Sequence, residues 1–293
     1  MRIFLTGATG FIGSRIAPLL LEAGHQVLGL TRSAAGARQL AAAGAEVHRG
    51  DLEDPASLQR GAEKADAVIH CAFDHDFSRF AENCQKDKRN IEAIGAALAG
   101  SHRPFVITSS TGMGGAGGQL AREDVFDTTH RLPRKITEET GNAVAERGVN
   151  VSYVRLPQVH DTKKQGLISP LIEIARAKGR VAYLGEGQNC WPAAHLSDVA
   201  LLYKLAVERG EPGARYPAVA EEGITTRAIA EALGRRLKLP VVSLRGDEAA
   251  AHFGWITAFA GLDMAASSAI TRKKLGWNPV GPGLIADLEN LEL

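Results

Sequence analysis

Residues 6–13 of the chain read Thr-Gly-Ala-Thr-Gly-Phe-Ile-Gly, and this stretch decides the fold. It follows a short apolar run from Arg2 that predicts a β-strand, and it precedes a segment whose apolar residues have helical spacing. Between a strand and a helix the three glycines have separate uses. Gly7 permits the tight turn, Gly10 lets the backbone approach a pyrophosphate, and Gly13 lets the helix pack closely on the strand. Because the first N–H groups of the helix would face the phosphates, the stretch predicts a dinucleotide-binding turn.

Short apolar runs alternate with helical segments from this stretch as far as residue 155. We predict strands at residues 2–5, 26–30, 46–49, 67–71, 105–108 and 151–155, and helices at 13–23, 38–43, 57–62, 77–98 and 134–147. Such alternation is typical of an α/β fold with a doubly wound parallel sheet of the Rossmann type.

The pattern becomes less regular beyond residue 155, where proline and glycine recur. A helix at 224–237 and a strand at 241–244 are the clearest elements there. We therefore predict a dinucleotide-binding Rossmann domain over residues 1–155. A smaller C-terminal substrate lobe follows over residues 156–293, interleaved with the last sheet elements.

The composition excludes several classes of function. A formal net charge of +1 over 293 residues provides no field that would attract nucleic acid or a membrane surface. We expect neither as a partner, and no apolar stretch is long enough for a membrane span. Three widely spaced cysteines are typical of a reducing compartment, so we expect a cytoplasmic protein. Asp74, His75 and Asp76 are too isolated to predict a metal site, and we expect no metal.

The spacing of residues 6–13 resembles the TGxxGxxG fingerprint of extended and atypical short-chain dehydrogenases/reductases, a group that is epimerase/dehydratase-like. Asp51-Leu52 resembles the pair that caps the adenine, Cys71-Ala72-Phe73 the segment beside the ribose and nicotinamide, and residues 155–159 the turn that borders the nicotinamide. The resemblance implies a set of cofactor-binding residues, namely Gly7, Thr9, Gly10, Phe11, Ile12, Gly13, Arg32, Asp51, Leu52, Ala72, Phe73, Thr108, Pro157 and Val159.

The end of the second predicted strand indicates which dinucleotide binds. An acidic residue there would accept hydrogen bonds from a ribose 2′-hydroxyl, but the chain carries Arg32, which suits a 2′-phosphate. We therefore expect NADP(H) as the cofactor. Ser33 or Arg38 could share the phosphate, and the alternative is that Arg32 is a solvated surface residue.

The resemblance also implies a catalytic serine or threonine together with a Tyr-x-x-x-Lys pair. Ser110, at the end of the fifth predicted strand, matches the serine position, with Ser109 as the alternative. None of the four tyrosines has a lysine four residues later. The chain instead has His130 and Arg134, which resemble the His-x-x-x-Arg of an atypical subgroup.

In that interpretation His130 donates the proton and Arg134 provides electrostatic support. If the segment is helical, both side chains share one face, and Arg134 lowers the pKa of His130. Lys135 is a rival for binding the ribose, and His130 could instead be an exposed polar residue. Met113 and Trp191 are candidates for the wall of the substrate pocket.

These features together predict an NADP(H)-dependent oxidoreductase that transfers a hydride between the nicotinamide and a small carbonyl or imine. A sugar-nucleotide epimerase or dehydratase is one alternative, and a non-catalytic NADP(H)-sensing regulatory protein is another. The helices predicted at 77–98 and 134–147 match those that pair in dimers of the superfamily, so a homodimer is expected by analogy.

Overall fold

The computed structural model describes residues 1–115 and 119–292 of the chain. Strands and α-helices alternate through its first half. The strands are β1 (Arg2–Thr6), β2 (Gln26–Thr31), β3 (Glu46–Arg49), β4 (Ala67–His70), β5 (Pro104–Ser110) and β6 (Asn150–Leu156). The helices are α1 (Gly13–Glu22), α2 (Ala34–Ala42), α3 (Pro55–Ala62), α4 (Phe80–Leu98) and α5 (Ile136–Ala145).

Shorter strands and further helices make up the second half. The strands are β7 (Gln158–His160), β8 (Val181–Leu184), β9 (Cys190–His195), β10 (Arg215–Pro217), β11 (Glu221–Thr225) and β12 (Val241–Leu244). The helices are α6 (Ile168–Lys178), α7 (Leu196–Arg209), α8 (Thr226–Leu237), α9 (Gly246–Phe253), α10 (Thr257–Ala260), α11 (Ala269–Leu275) and α12 (Leu284–Glu289). Within residues 1–115 and 119–292, none of these helices has the length and apolar character that a membrane span requires.

A seven-stranded sheet with the order β10-β6-β5-β4-β1-β2-β3 forms the centre of the molecule, and every pair in it is parallel. The predicted doubly wound α/β fold is confirmed. The chain builds outward from β1 on one side and from β4 on the other, so the order reverses between these two strands. Ligands of such sheets bind outside the carboxyl ends of the strands at this switch point.

The second half of the chain adds two small sheets, β11-β9-β7 and β12-β8. It also returns to the large sheet, because β10 pairs with β6 in parallel, and α7 packs on α1 and on the strands near the switch point. The division at residue 155 therefore stays a prediction, since strands on both sides of it share one sheet.

One predicted helix begins later than the sequence pattern indicates. The helix expected over residues 224–237 starts at Thr226, because Ile224 pairs with β9 as part of β11. Thr225 then caps the helix, its side chain accepting a hydrogen bond from the N–H of Ala228 at 3.2 Å. The apolar residue at 224 belongs to a strand, and periodicity alone did not separate it from the helix.

Both faces of the large sheet are buried. Ile3 and Leu5 point into a core that includes Leu20 of α1, whereas Phe4 points into a second core that includes Leu58 of α3. Helices covering both faces explain why the central strands are continuously apolar rather than alternating.

A buried carboxylate links the strands at one edge of this sheet to α5. Glu138 and Arg155 are both fully buried, and they form two hydrogen bonds of 2.7 and 2.8 Å. Arg215 of β10 donates to the same carboxylate at 2.8 Å, and the Ser109 hydroxyl donates at 2.7 Å. Burial opposes ionisation of Glu138, but the two guanidinium groups and the serine outweigh it and hold the pKa of Glu138 below its usual value.

We expect Glu138→Gln to lower the free energy of unfolding at neutral pH by about 3–5 kcal/mol, because Arg155 would keep a buried charge without its partner. Since the pKa of Glu138 is lowered on folding, the ionised carboxylate stabilises the fold above its unfolded pKa of about 4.3 and loses this effect as the pH falls through the lower folded pKa. Urea denaturation of both proteins across this pH range should show the difference between them shrinking in acid.

Glu139→Gln is the matched control. Glu139 is exposed and lies 3.5 Å from Lys135, so its loss should cost no more than about 1 kcal/mol. Equal losses for the two variants would contradict a structural role for the Glu138 cluster.

Candidate active site

The glycine-rich turn between β1 and α1 leaves no room for side chains at two of its glycines. Gly7 has a φ of +69°, and a Cβ there would lie 2.9 Å from the backbone nitrogen of Ala72. A Cβ on Gly13 would lie 2.1 Å from the carbonyl oxygen of Gly7, which is far inside van der Waals contact. Glycine is required at these positions because strand, turn and helix approach one another so closely.

The amino end of α1 opens at the switch point of the sheet. Ile12 is the N-cap residue, and among the described residues no side chain caps the helix there. Gly10 is exposed, while Thr9, Phe11 and Ile12 are half-buried. Backbone N–H groups at an uncapped helix end, beside a glycine cradle, fit the pyrophosphate of a dinucleotide.

Thr6 at the end of β1 ties the turn to the end of β4. Its Oγ1 accepts hydrogen bonds from the backbone N–H groups of Cys71 and Ala72, each at 3.1 Å. The same oxygen lies 2.8 Å from Nδ1 of His70, whose Nε2 lies 3.0 Å from Asp87. These partners assign the ring proton of His70 to Nε2, so the Thr6 hydroxyl donates to Nδ1.

Asp87 of α4 collects three donors in a fully enclosed position. One carboxylate oxygen accepts from His70, and the other accepts from the Thr137 hydroxyl at 2.6 Å and from Arg134 at 2.8 Å. Burial opposes the ionised form, but Arg134 and then His70 and Thr137 stabilise it and hold the pKa of Asp87 below its usual value. Asp87 is therefore a buried anion with a complete set of partners.

Arg134 is fixed by these contacts. Its guanidinium donates to Asp87 and, at 2.9 Å, to the backbone carbonyl of Thr108 in β5. The group also lies 4.0 Å above the centre of the Phe73 ring. Arg134 thus connects the segment that follows β4, at Phe73, with the backbone of β5, at Thr108.

His130 and Ser110 converge on one point beside Gly112. Nε2 of His130 lies 3.9 Å, and Oγ of Ser110 lies 3.8 Å, from the position that a Cβ on Gly112 would occupy. Nδ1 of His130 accepts a hydrogen bond from the N–H of Leu132 at 3.2 Å, so the neutral ring carries its proton on Nε2. The Ser110 hydroxyl and the His130 ring nitrogen therefore lie on the same side of Gly112.

The segment around His130 is not a helix, which differs from the geometry expected for His-x-x-x-Arg. Residues 133–135 form a single 3₁₀ turn and α5 begins only at Ile136. Desolvation lowers the pKa of His130, Asp127 opposes this effect, and Lys135 adds to it. The nearby cation that lowers the pKa is thus Lys135, not the expected Arg134, whose charge is directed to Asp87.

The other predicted catalytic and ribose-binding residues have structural partners. The Ser109 hydroxyl donates its hydrogen bond to Glu138, and the Nζ of Lys135 donates to the carbonyl of Thr128 at 3.0 Å. The Thr108 hydroxyl donates to the carbonyl of His70 at 2.7 Å and lies 2.6 Å from the Tyr203 hydroxyl.

The end of β2, where the adenosine half of the cofactor is expected, carries the exposed cation Arg32. The side chain of Arg32 is 79% exposed and lies 3.8 Å from the Asp51 carboxylate. Ser33 caps α2 by accepting from the N–H of Gly36 at 2.9 Å, and Arg38 is exposed on that helix. Leu52 packs at the rim of the core below Asp51.

The predicted pocket residues lie at different depths. Met113 is fully buried, and so is Trp191, whose indole N–H donates to the carbonyl of Leu262 at 3.3 Å within the core of the second half. Pro157 is half-buried between β6 and β7, and Val159 is buried in β7.

Sequence reasoning missed the chain of hydrogen bonds through Thr6, His70 and Asp87. The one signal was a histidine at the end of an otherwise apolar strand, since a buried imidazole requires partners.

Comparisons with known proteins agree with this architecture. Residues 3–218 match the model of the NAD dependent epimerase/dehydratase family. An uncharacterized protein of Schizosaccharomyces pombe is 46% identical over 289 residues, which cover 98% of this chain and 98% of that protein. The 2-alkyl-3-oxoalkanoate reductase of Stenotrophomonas maltophilia is 28% identical over 227 residues, covering 73% of this chain and 67% of that enzyme.

A solved structure shows the same fold. The UDP-glucose 4-epimerase of Thermus thermophilus, in complex with NAD, matches with a TM-score of 0.73 at 20% identity, over 99% of this chain and 97% of that one. A family match that spans most of the chain, together with the relative at 46% identity, establishes that this chain belongs to the NAD-dependent epimerase/dehydratase family.

Proposed function

We propose that the protein is an NADP(H)-dependent oxidoreductase that transfers a hydride between the nicotinamide and a small carbonyl or imine. The observation that carries the proposal is the convergence of the Ser110 hydroxyl and the His130 Nε2 on one point beside Gly112. Two donors at the carboxyl edge of the sheet suit an oxygen on which negative charge develops. The reductase from Stenotrophomonas maltophilia, whose name describes reduction of an oxo group, supports the same class of reaction.

The cofactor would lie across the switch point. The turn from Gly7 to Gly13 would hold the pyrophosphate, Asp51 and Leu52 the adenine, and Phe73, Pro157 and Val159 the nicotinamide end. When bound, NADPH supplies a hydride to the carbonyl carbon while the carbonyl oxygen gains a proton, so that the substrate becomes an alcohol and the cofactor is oxidised.

The chain's own residues orient the substrate and stabilise charge. Ser110 and His130 donate hydrogen bonds to the substrate oxygen, because the His130 proton sits on Nε2 and the Ser110 oxygen accepts from the N–H of Gly112. With its pKa lowered, His130 is neutral at physiological pH. It thus acts as a hydrogen-bond donor that stabilises the developing negative charge on the oxygen, which takes its proton from solvent.

Arg134 contributes a fixed positive charge at this edge, and Asp87 keeps the guanidinium in position. We therefore propose His130 and Arg134 as the pair that replaces the tyrosine and lysine of related enzymes. The tyrosines support this interpretation, because Tyr153 and Tyr203 are fully buried and hydrogen-bonded to Asn142 and Thr108.

The preference for NADP(H) rests on Arg32. Its guanidinium is exposed at the end of β2, next to the amino end of α2, and both features favour a phosphate. A sugar-nucleotide epimerase, the class named for the Thermus thermophilus structure, is the second candidate, and it is favoured by the shared fold alone.

We expect Arg32→Ala to weaken NADPH binding by about 10–100-fold and to leave NADH binding nearly unchanged, because a charge-assisted bond to the 2′-phosphate is worth roughly 1.5–3 kcal/mol. Fluorescence titration of the purified protein with each cofactor measures both affinities. Arg235→Ala is the control, since Arg235 is a surface arginine paired with Glu289 in the second half. Equal weakening for NADPH and NADH would show that Arg32 does not read the 2′-phosphate.

His130→Ala should lower NADPH-dependent turnover of a carbonyl by roughly 10²–10⁴-fold, because the donor that stabilises the developing charge is lost. Its affinity for NADPH should remain that of the wild type. Steady-state kinetics and cofactor titration give the two quantities, and His102→Ala, an exposed histidine at the amino end of β5, is the control. Turnover of His130→Ala at the wild-type rate would remove His130 from the mechanism.

A further inference from the structure

Six rings form a continuous aromatic wall that joins the two halves of the chain. Four come from the end of β4 to the start of α4 and two from the segment around α10; they are Phe73, His75, Phe77, Phe80, Trp255 and Phe259. Phe77 stacks on Trp255 with ring centres 4.9 Å apart and planes inclined by 12°. Phe259 meets Phe77, Phe80 and Trp255 edge to face at 6.2–6.4 Å.

The aromatic wall is open to solvent. Trp255 is 47% exposed, His75 is exposed, and Phe73, Phe77, Phe80 and Phe259 are only half-buried. The other two tryptophans, Trp191 and Trp277, are buried at 0% and 1% exposure. The wall thus presents contiguous, partly exposed ring surface around Trp255, and contiguous apolar surface of this kind is a feature of binding sites.

This wall begins at the candidate active site. The Phe73 ring lies under the Arg134 guanidinium at 4.0 Å, and Arg134 donates to Thr108, two residues before Ser110. The neighbouring Ala72 lies against Gly7 of the cofactor turn. A ligand whose reacting group meets Ser110 would thus have the wall running away from that group.

Cations flank the wall. Lys164 lies 5.6 Å from the centre of the Phe11 ring on the cofactor turn, and Arg134 covers Phe73. The carboxylates of Asp74 and Asp76 lie on the same segment as the rings, so this surface carries charges of both signs.

We infer that the aromatic wall, and Trp255 in particular, selects carbonyl substrates that carry an aromatic ring. The inference rests on the proposed function and names its substrate class. An aromatic ring gains from edge-to-face and offset-stacked contact with Phe77, Trp255 and Phe259, because the positive ring edge of one partner meets the negative face of the other. A saturated ring of the same size buries similar area but lacks this contribution.

The test compares 4-phenylbutan-2-one with 4-cyclohexylbutan-2-one. In both ketones the ring is insulated from the carbonyl, so intrinsic reactivity is matched and only the ring differs. Wild-type kcat/KM should favour the phenyl ketone by roughly 2- to 10-fold. Trp255→Leu should reduce this preference to near unity, Trp255→Phe should retain most of it, and Val280→Ala, a change at an apolar residue that is 80% exposed, should leave it unchanged.

A second measurement does not depend on turnover. With NADP⁺ bound, titration with each ketone is followed by tryptophan emission, to which exposed Trp255 responds more than the two buried indoles. We expect a saturable change, with tighter binding of the phenyl ketone than of the cyclohexyl ketone. If no carbonyl is reduced but this titration holds, the proposed function fails and recognition of the aromatic ring stands.

Reduction of both ketones with equal kcat/KM, together with identical titrations, would overturn the inference and leave the reductase intact. Gel filtration of wild type and Trp255→Leu adds a further check. A change from dimer to monomer in the variant would assign the wall to an interface between two copies of the chain and would also overturn the inference.

Discussion

The geometry of the site depends on the ionised carboxylate of Asp87. It sits in a low-dielectric interior, where an unpaired charge costs several kcal/mol, and it is tolerated because Arg134, His70 and Thr137 surround it. Each of those partners belongs to a different piece of the fold. One carboxylate thus fixes the end of β4, the start of α5 and, through Arg134, the backbone of β5. Glu138 links the neighbouring strands in a similar way, because its carboxylate accepts hydrogen bonds from Arg155 of β6 and Arg215 of β10.

In the proposed mechanism, Arg134 takes the position that lysine has in related enzymes, and its contacts suit that position. A lysine would offer a compact, mobile charge, whereas the planar guanidinium of Arg134 contacts an anion, a carbonyl and an aromatic face at once. The charge is fixed in place before any ligand arrives, so little reorganisation is required when charge develops on a substrate. In the same proposal His130 takes the position of the tyrosine, and the backbone N–H of Leu132 directs its proton to Nε2.

Local patterns in the sequence were sufficient for six strands of the large sheet, but they missed its edge strand β10 and did not predict the site. Residues 6–13 specify their own turn, because the contacts that require glycine lie mostly within the turn and at the adjacent strand end. The relation between His130 and Arg134 was not predictable in this way. Arg134 lies in a 3₁₀ turn that begins at Pro133, and its guanidinium is directed toward Asp87, which is 47 residues earlier in the chain. The stacking of Phe77 on Trp255 was not predictable from local patterns either. No periodicity connects residues from opposite halves of the chain, so only the folded chain identifies the wall beside the site.

The place of β10 in the large sheet has a consequence for how the protein is made and how it can be recombined. Until Pro217 has left the ribosome, β6 is an edge strand with unpaired N–H and C=O groups, and α7 has not yet covered the neighbouring face. A nascent chain therefore exposes an unpaired strand edge while some sixty further residues are synthesised. At typical elongation rates this takes a few seconds to about ten seconds. Exchange of the second half of the chain between relatives would have to carry or preserve residues 196–217, because a cut at residue 155 would divide one sheet between two parents.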